Sequence, residues 1–210
     1  MEETNNVVEL CGSVAEKPVF SHTGGGEDYF MFPLEIERLS GNKDCINIVA
    51  RRQLLENLII GDQSRLNVVG QLRSFNNKKG EGGSRLIITV LARELFFSDG
   101  EDKNHVALNG VICKPPNLRK TPMGRQISDI MLAVNRRYGR SDYLPCIAWG
   151  RLAEAAAALK VGDILSFEGR IQSRKYTKTE NETVTERTAF EVSIVTLLES
   201  APEESYCSEL

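Results

Sequence analysis

No run of apolar residues approaches the roughly 18 that a membrane-crossing helix needs, although hydrophobic residues make up 41% of the 210-residue chain. The opening Met1-Glu-Glu-Thr-Asn-Asn6 has none of the basic-then-apolar pattern of a secretory signal, so a cytoplasmic protein is expected. The five cysteines (Cys11, Cys45, Cys113, Cys146 and Cys207) are scattered and form no C-x-x-C pair. Reduced thiols fit that pattern better than a disulfide or zinc framework. His22 and His105 have no His or Cys at ligand spacing, and Gly24-Gly-Gly26 lacks the Gly-Lys-Ser/Thr ending of a phosphate loop. Asn181-Glu-Thr183 is a formal glycosylation sequon with no secretory route to serve it. No serine or cysteine stands in a context that would activate it. The expectation is a protein that is not an enzyme and uses no cofactor and no metal.

What is present is a charge split and a repeat. The net charge of −3 averages three unlike segments: residues 1–103 carry 12 Lys/Arg against 16 Asp/Glu, and residues 104–198 carry 14 against 9. The tail 199–210 holds four glutamates and no base. Only the middle segment has the charge a polyanion prefers.

A shift of 98 positions lays Val8 on Val106, Gly12 on Gly110, Pro18 on Pro116, Arg38 on Arg136 and Leu54 on Leu152 without a gap. After small length changes Gly70-Gln-Leu-Arg-Ser74 meets Gly169-Arg-Ile-Gln-Ser173. A period this long means two copies of one domain. The expected division is a domain over 1–97, a polar linker over 98–104, a second domain over 105–198 and an acidic tail over 199–210.

In the second copy the alternation over 105–113 breaks at Lys114-Pro-Pro-Asn117, and strands are expected near 126–137 and 142–149. The alanine-rich stretch 151–160 reads as a helix stopped at Gly162, and strands near 164–176 and 186–198 follow. Five strands with one short helix between the third and fourth is the OB-fold pattern. The chain is expected to be all-β, two tandem OB-fold five-stranded barrels.

Strand phase separates core from surface. Cys45-Ile-Asn-Ile-Val-Ala-Arg51 in the first copy puts Asn47 and Arg51 on one face, so the aligned Tyr143-Leu-Pro-Cys-Ile-Ala-Trp149 turns Leu144, Cys146 and Ala148 inward. Tyr143 and Trp149 then point outward, as do Arg170, Gln172, Arg174 and Tyr176 on the next strand. Rings with guanidinium groups between them suit single-stranded DNA: bases stack on the rings for about 1–3 kcal/mol each, and cations neutralise phosphates. Two roles are open for Tyr143, a stacking ring or part of a subunit interface, and Tyr138 sits at a hairpin tip where phase does not decide.

Val106-Ala-Leu-Asn-Gly110, the stretch from Pro116 to Gly124, Leu132-Ala-Val-Asn-Arg-Arg-Tyr138, Ile147-Ala-Trp-Gly-Arg-Leu-Ala-Glu154 and Glu168-Gly-Arg-Ile-Gln-Ser-Arg-Lys-Tyr176 resemble the bacterial single-stranded DNA-binding protein family. The resemblance covers 105–198 and implies base stacking on Tyr138, Tyr143, Trp149 and Tyr176. Arg136, Arg137, Arg151, Arg170, Arg174 and Lys175 are the expected phosphate contacts. The first copy carries Ser40, Cys45, Arg51 and Asn77 at the four ring positions, so its binding chemistry departs from the family pattern. A homodimer supplying four OB-folds and a nucleoid location are implied as well. The tail Glu199-Ser-Ala-Pro-Glu-Glu-Ser-Tyr-Cys-Ser-Glu-Leu210 lacks the Pro-Phe ending through which family members recruit replication and repair proteins. Recruitment and a merely solvated terminus both stay open for it. Two other functions are consistent with the sequence: an accessory OB-fold protein of a replication or conjugation complex acting through protein contacts, and an RNA-binding OB protein.

Overall fold

The structure, a computed structural model, describes residues 5–61, 63–77, 85–180 and 183–198, with side chains for all of these except 77, 85, 138, 175–180 and 183–187. The acidic tail lies outside the described residues. No described helix is long and apolar enough to cross a membrane.

Residues Asn6–Val14 (β1), Val19–Gly24 (β2), Glu27–Glu37 (β3) and Lys43–Arg51 (β4) lead into a single helical turn at Arg52–Leu55 (α1). Arg65–Asn77 (β5) and Arg85–Phe97 (β6) complete the first domain. The second repeats the order: Lys103–Ile112 (β7), Asn117–Lys120 (β8), Gln126–Asn135 (β9), Ser141–Trp149 (β10), Arg151–Ala157 (α2), Ile164–Glu180 (β11) and Thr183–Leu198 (β12). In the first domain β1 pairs with β3 and β5, β3 with β4, β4 with β6 in parallel and β6 with β5, which closes a five-stranded barrel. The second domain closes in the same way through β7, β9, β10, β12 and β11. Closure satisfies edge hydrogen bonds that an open sheet would leave to solvent.

Three details differ from the sequence expectation. Each domain has an additional short strand, β2 or β8, folded back antiparallel on β3 or β9 outside the barrel. The turns that reverse these hairpins contain glycines at positive φ, Gly25 and Gly26 in one and Gly124 in the other. Helix α2 ends at Ala157, and β11 and β12 extend towards each other as far as Glu180 and Thr183.

Barrel closure needs a close approach where the first strand crosses the third. A Cβ on Gly12 would stand 2.3 Å from the Glu35 carbonyl oxygen, and one on Gly110 2.6 Å from that of Ala133. Only glycine fits at either place, which accounts for the match of these two positions in the repeat. Inside, Val8, Leu10, Phe32, Leu34, Ile48, Leu66 and Leu72 fill one barrel, and Val106, Leu108, Leu132, Leu144, Phe167 and Ile171 the other, all essentially without solvent contact. Each such side chain contributes roughly 1.5–3 kcal/mol by burial.

The barrels join edge to edge. Strand β1 pairs antiparallel with β7 in the register Asn6↔Leu108, Val8↔Val106 and Leu10↔Asn104. Val8 and Val106 are each other's counterparts in the repeat, so a local two-fold axis passes between them. The same symmetry governs a pair of polar contacts made inside each barrel by the strands that meet at the boundary. Asn6 donates to the Leu72 carbonyl and accepts from its N–H, at 2.9 and 2.8 Å. Asn104 does the same with Ile171, at 2.8 and 2.9 Å.

Candidate nucleic-acid interface

Strand β10 carries the two described rings of the predicted set. Its burial alternates as the strand phase requires: Leu144, Cys146 and Ala148 are buried, while Tyr143 is 51% and Trp149 38% exposed. Ile147 departs from strict alternation and is buried too. Gly150 follows Trp149 at positive φ, and its N–H donates to the Gln126 carbonyl at 3.0 Å. That bond sets the tip of the β8–β9 hairpin beside the indole.

The consequence is a groove of about 450 Å³ lined by Lys120, Gly124, Arg125, Gln126, Trp149 and Gly150. Lys120 and Arg125 are exposed and place two cations beside the ring. Neither was among the expected contacts. Their sequence neighbourhood, Arg119-Lys-Thr-Pro-Met-Gly-Arg125, is an ordinary basic turn; only the pairing of β9 with both β8 and β10 brings it to Trp149. The neighbouring Arg119 is engaged with Asp129 at 2.5 and 3.0 Å.

Arg136 makes contacts within the fold that the sequence reading did not include. Its Nε donates to Asp142 Oδ2 at 2.6 Å, and Nη2 donates to Asp142 Oδ1 and, at 3.1 Å, to the Ser74 carbonyl of the other domain. The Asp142 carboxylate is fully buried and also accepts from Ser74 N–H at 2.5 Å and Arg73 Nη1 at 3.1 Å. Ser74 Oγ in turn accepts from the Tyr143 N–H at 2.7 Å. A buried carboxylate without these donors would be strongly unfavourable, so Arg136 is held as an inter-domain clamp, a role the sequence reading did not include. Burial pulls the Arg73 guanidinium below its ordinary value, and the charge of Asp142 beside it acts in the opposite direction.

The remaining expected residues do not converge on one spot. Arg174 is exposed and lines a groove between the domains with Ser173, Phe190, Asn47 and Arg38. Arg151 is exposed at the start of α2. Arg170 is half-buried, its Nε and Nη2 each 3.0 Å from the Gln172 side-chain oxygen. Arg137 lies in the short 3-10 turn that links β9 to β10 and is exposed. Tyr138 lies in that turn as well, and Lys175 and Tyr176 on β11; their side chains are outside those described. Burial pushes the thiols of Cys113 and Cys146 up from their ordinary value.

The motif for the Single-strand binding protein family matches residues 103–197, the whole ring-bearing barrel. This barrel belongs to that family. Single-stranded DNA-binding protein 2 of Listeria innocua is 38% identical over 88 residues, and single-stranded DNA-binding protein A of Bacillus subtilis 36% over the same length. Each alignment takes in 39% of this chain, and the chain spans about half the length of these relatives, 55% and 51%. Both domains together are similar to the wild-type single-stranded DNA binding protein of Thermus aquaticus, with a TM-score of 0.74 at 25% identity over 93% of each chain. The single-strand binding family domain is thus the second of two OB-folds, and its sister shares the fold.

Proposed function

We propose that this protein binds single-stranded DNA with little sequence preference, as strands become exposed in replication, recombination or repair. The observation that carries this is the exposed Trp149 indole sharing one groove with Lys120 and Arg125. An exposed ring stacks any base, and flanking cations neutralise the phosphates on either side of it, so neither contact reads a base edge. Tyr143 continues the ring surface along β10 towards the domain boundary, and Arg174 adds a cation at that boundary. The backbone positions of Tyr138 and Tyr176 and the resemblance of their sequence blocks support the same role for those rings. Residues 98–102 act as the link between the two units.

We further propose that two chains pair to supply four OB-folds. The outer face of the joined sheet carries half-exposed Val7, Val69 and Ala107 along the local two-fold, a surface a second copy would cover. Light scattering in solution should then give twice the 23.4 kDa chain mass; a monomer mass at micromolar concentration would end this part of the proposal.

Trp149 is the only tryptophan and reports directly on the site. Titration with oligo-dT at low salt should quench its fluorescence, and a matched RNA oligomer should compete less well. An unaltered signal together with no shift of the oligomer on a gel would refute the DNA-binding proposal.

A further inference from the structure

The first barrel has no aromatic residue at the four family ring positions, yet it is not poor in exposed rings. Phe20 on β2 is 58% exposed and Phe75 on β5 is 52% exposed. His22 and Tyr29 stack face to face across the β2–β3 hairpin, centroids 4.8 Å apart and planes 4° from parallel. Phe30 packs edge-on to Phe20 at 6.0 Å, and the Arg52 guanidinium carbon lies 5.6 Å from the Phe30 ring centre. In the second barrel the repeat puts Leu118, Ile127, Ser128 and Arg174 at the places of Phe20, Tyr29, Phe30 and Phe75. Each barrel therefore carries rings where its sister has none.

His22, Tyr29 and Phe75 open onto one groove of about 990 Å³ that crosses the domain boundary. Its floor includes Met31, Val49, Leu86 and Leu91 from the first domain, and Phe190 closes it from the second. Arg73, Arg136 and Arg140 also line it, and among the described residues no Asp or Glu does. Arg73 comes from the first domain, where residues 1–97 carry 13 acidic residues against 11 basic ones, and Arg136 and Arg140 come from the basic second domain. Arg73 and Arg136 share the single Asp142 carboxylate, which leaves an excess of positive charge at the wall, and Arg140 stands exposed on the β9–β10 turn. The groove begins next to the second barrel's ring strand, because Ser74 bonds the Tyr143 N–H and Phe75 follows Ser74 in the chain.

We infer that this groove is a second stacking site for the same single strand, built on a displaced set of rings and fed from Tyr143 by way of Phe75. This rests on the DNA-binding proposal above and extends it to the first barrel. Rings and guanidinium groups together fit a polyanion with flat apolar bases. An apolar peptide would be satisfied by the floor alone and would gain nothing from the three arginines.

Two single-tryptophan proteins test it. One is the natural chain, reporting at position 149; the other carries Trp149→Phe and Phe75→Trp, reporting at position 75. Oligo-dT long enough to span both barrels should quench both, and the reporter at 75 should need a longer oligomer than the reporter at 149. The double variant Tyr29→Ala with Phe75→Ala should also shorten the length of poly-dT occluded per chain by about 4–16 nucleotides, the span of one OB-fold. A reporter at 75 that stays silent at every length while 149 is quenched would overturn the inference and leave the second-barrel site intact, which is the result expected of a peptide-docking groove. Silence at 149 with quenching at 75 would instead refute the Trp149 site and uphold this one.

Discussion

Asp44 and Asp142 occupy the same place in the two barrels, six residues after Arg38 and Arg136, and both are fully buried. Each carboxylate takes the guanidinium of its own domain and reaches across the boundary to a serine of the other, Asp44 to Ser173 at 2.8 Å and Asp142 to Ser74 at 2.5 Å. Only Asp142 has a second guanidinium, from Arg73, whose counterpart in the repeat is Gln172. The hydrogen bonds that Arg38 donates to Asp44 raise the Arg38 pKa, whereas burial lowers that of Arg73. What the repeat retained is the joint that holds two barrels in register; what it changed is the chemistry displayed around it. Cores and joints are constrained by packing and desolvation on both sides, while exposed strand faces are free to diverge.

Four experiments would break or sharpen that contrast. The largest effect is expected from Asp142→Ala, which strands two half-buried guanidinium groups and should lower unfolding stability by up to about 3 kcal/mol in urea titration. Asp44→Ala strands one and should cost less; equal losses would show that Arg73 adds nothing to the joint. Next, Trp149→Ala should weaken oligo-dT binding by about 1–3 kcal/mol with an unaltered salt slope. Arg51→Ala, at the matching site of the first barrel, should fall well short of that loss, since it removes no ring. Arg125→Ala and Lys120→Ala come third: each should flatten the log–log salt slope by about 0.7, the value for one phosphate on a single strand.

The smallest effect concerns Glu9 on β1, which Lys103 on β7 holds below the ordinary glutamate value through a hydrogen bond. A lowered acid pKa adds stability above the unfolded value of about 4.3 and loses it as pH falls through the folded value. The stability difference between the natural chain and Glu9→Gln should therefore be under about 1 kcal/mol at neutral pH, as for other exposed pairs, and vanish once the pH has fallen below the lowered folded value. A difference that persisted at pH 2 would mean that Glu9 acts through packing rather than charge.

Much of this was legible in the chain. The 98-residue repeat marked two domains, and one aligned strand, with Asn47 and Arg51 against Tyr143 and Trp149, was enough to turn the two rings outward. That worked because strand phase has a period of two and a polar residue in one copy reports the phase for both. The clamp role of Arg136 was not read because an arginine next to a hairpin in a basic segment looks the same whether it faces phosphate or a buried carboxylate. The repeat of Arg38 and Asp44 at Arg136 and Asp142 was the available signal, since an acid–base pair kept in both copies points to structure rather than to a ligand only one copy was expected to bind.

The sequence by itself determined the two barrels, the glycines at their closure and which face of β10 carries rings, because these follow from local periodicity and steric exclusion. Only the tertiary structure decided that Lys120 and Arg125 flank Trp149, that Ser74 and Asp142 join the domains, and that Tyr29, Phe75 and Arg140 line one groove. Those groups lie on strands far apart in the chain, and it is barrel closure and the β1–β7 pairing that set the distances between them.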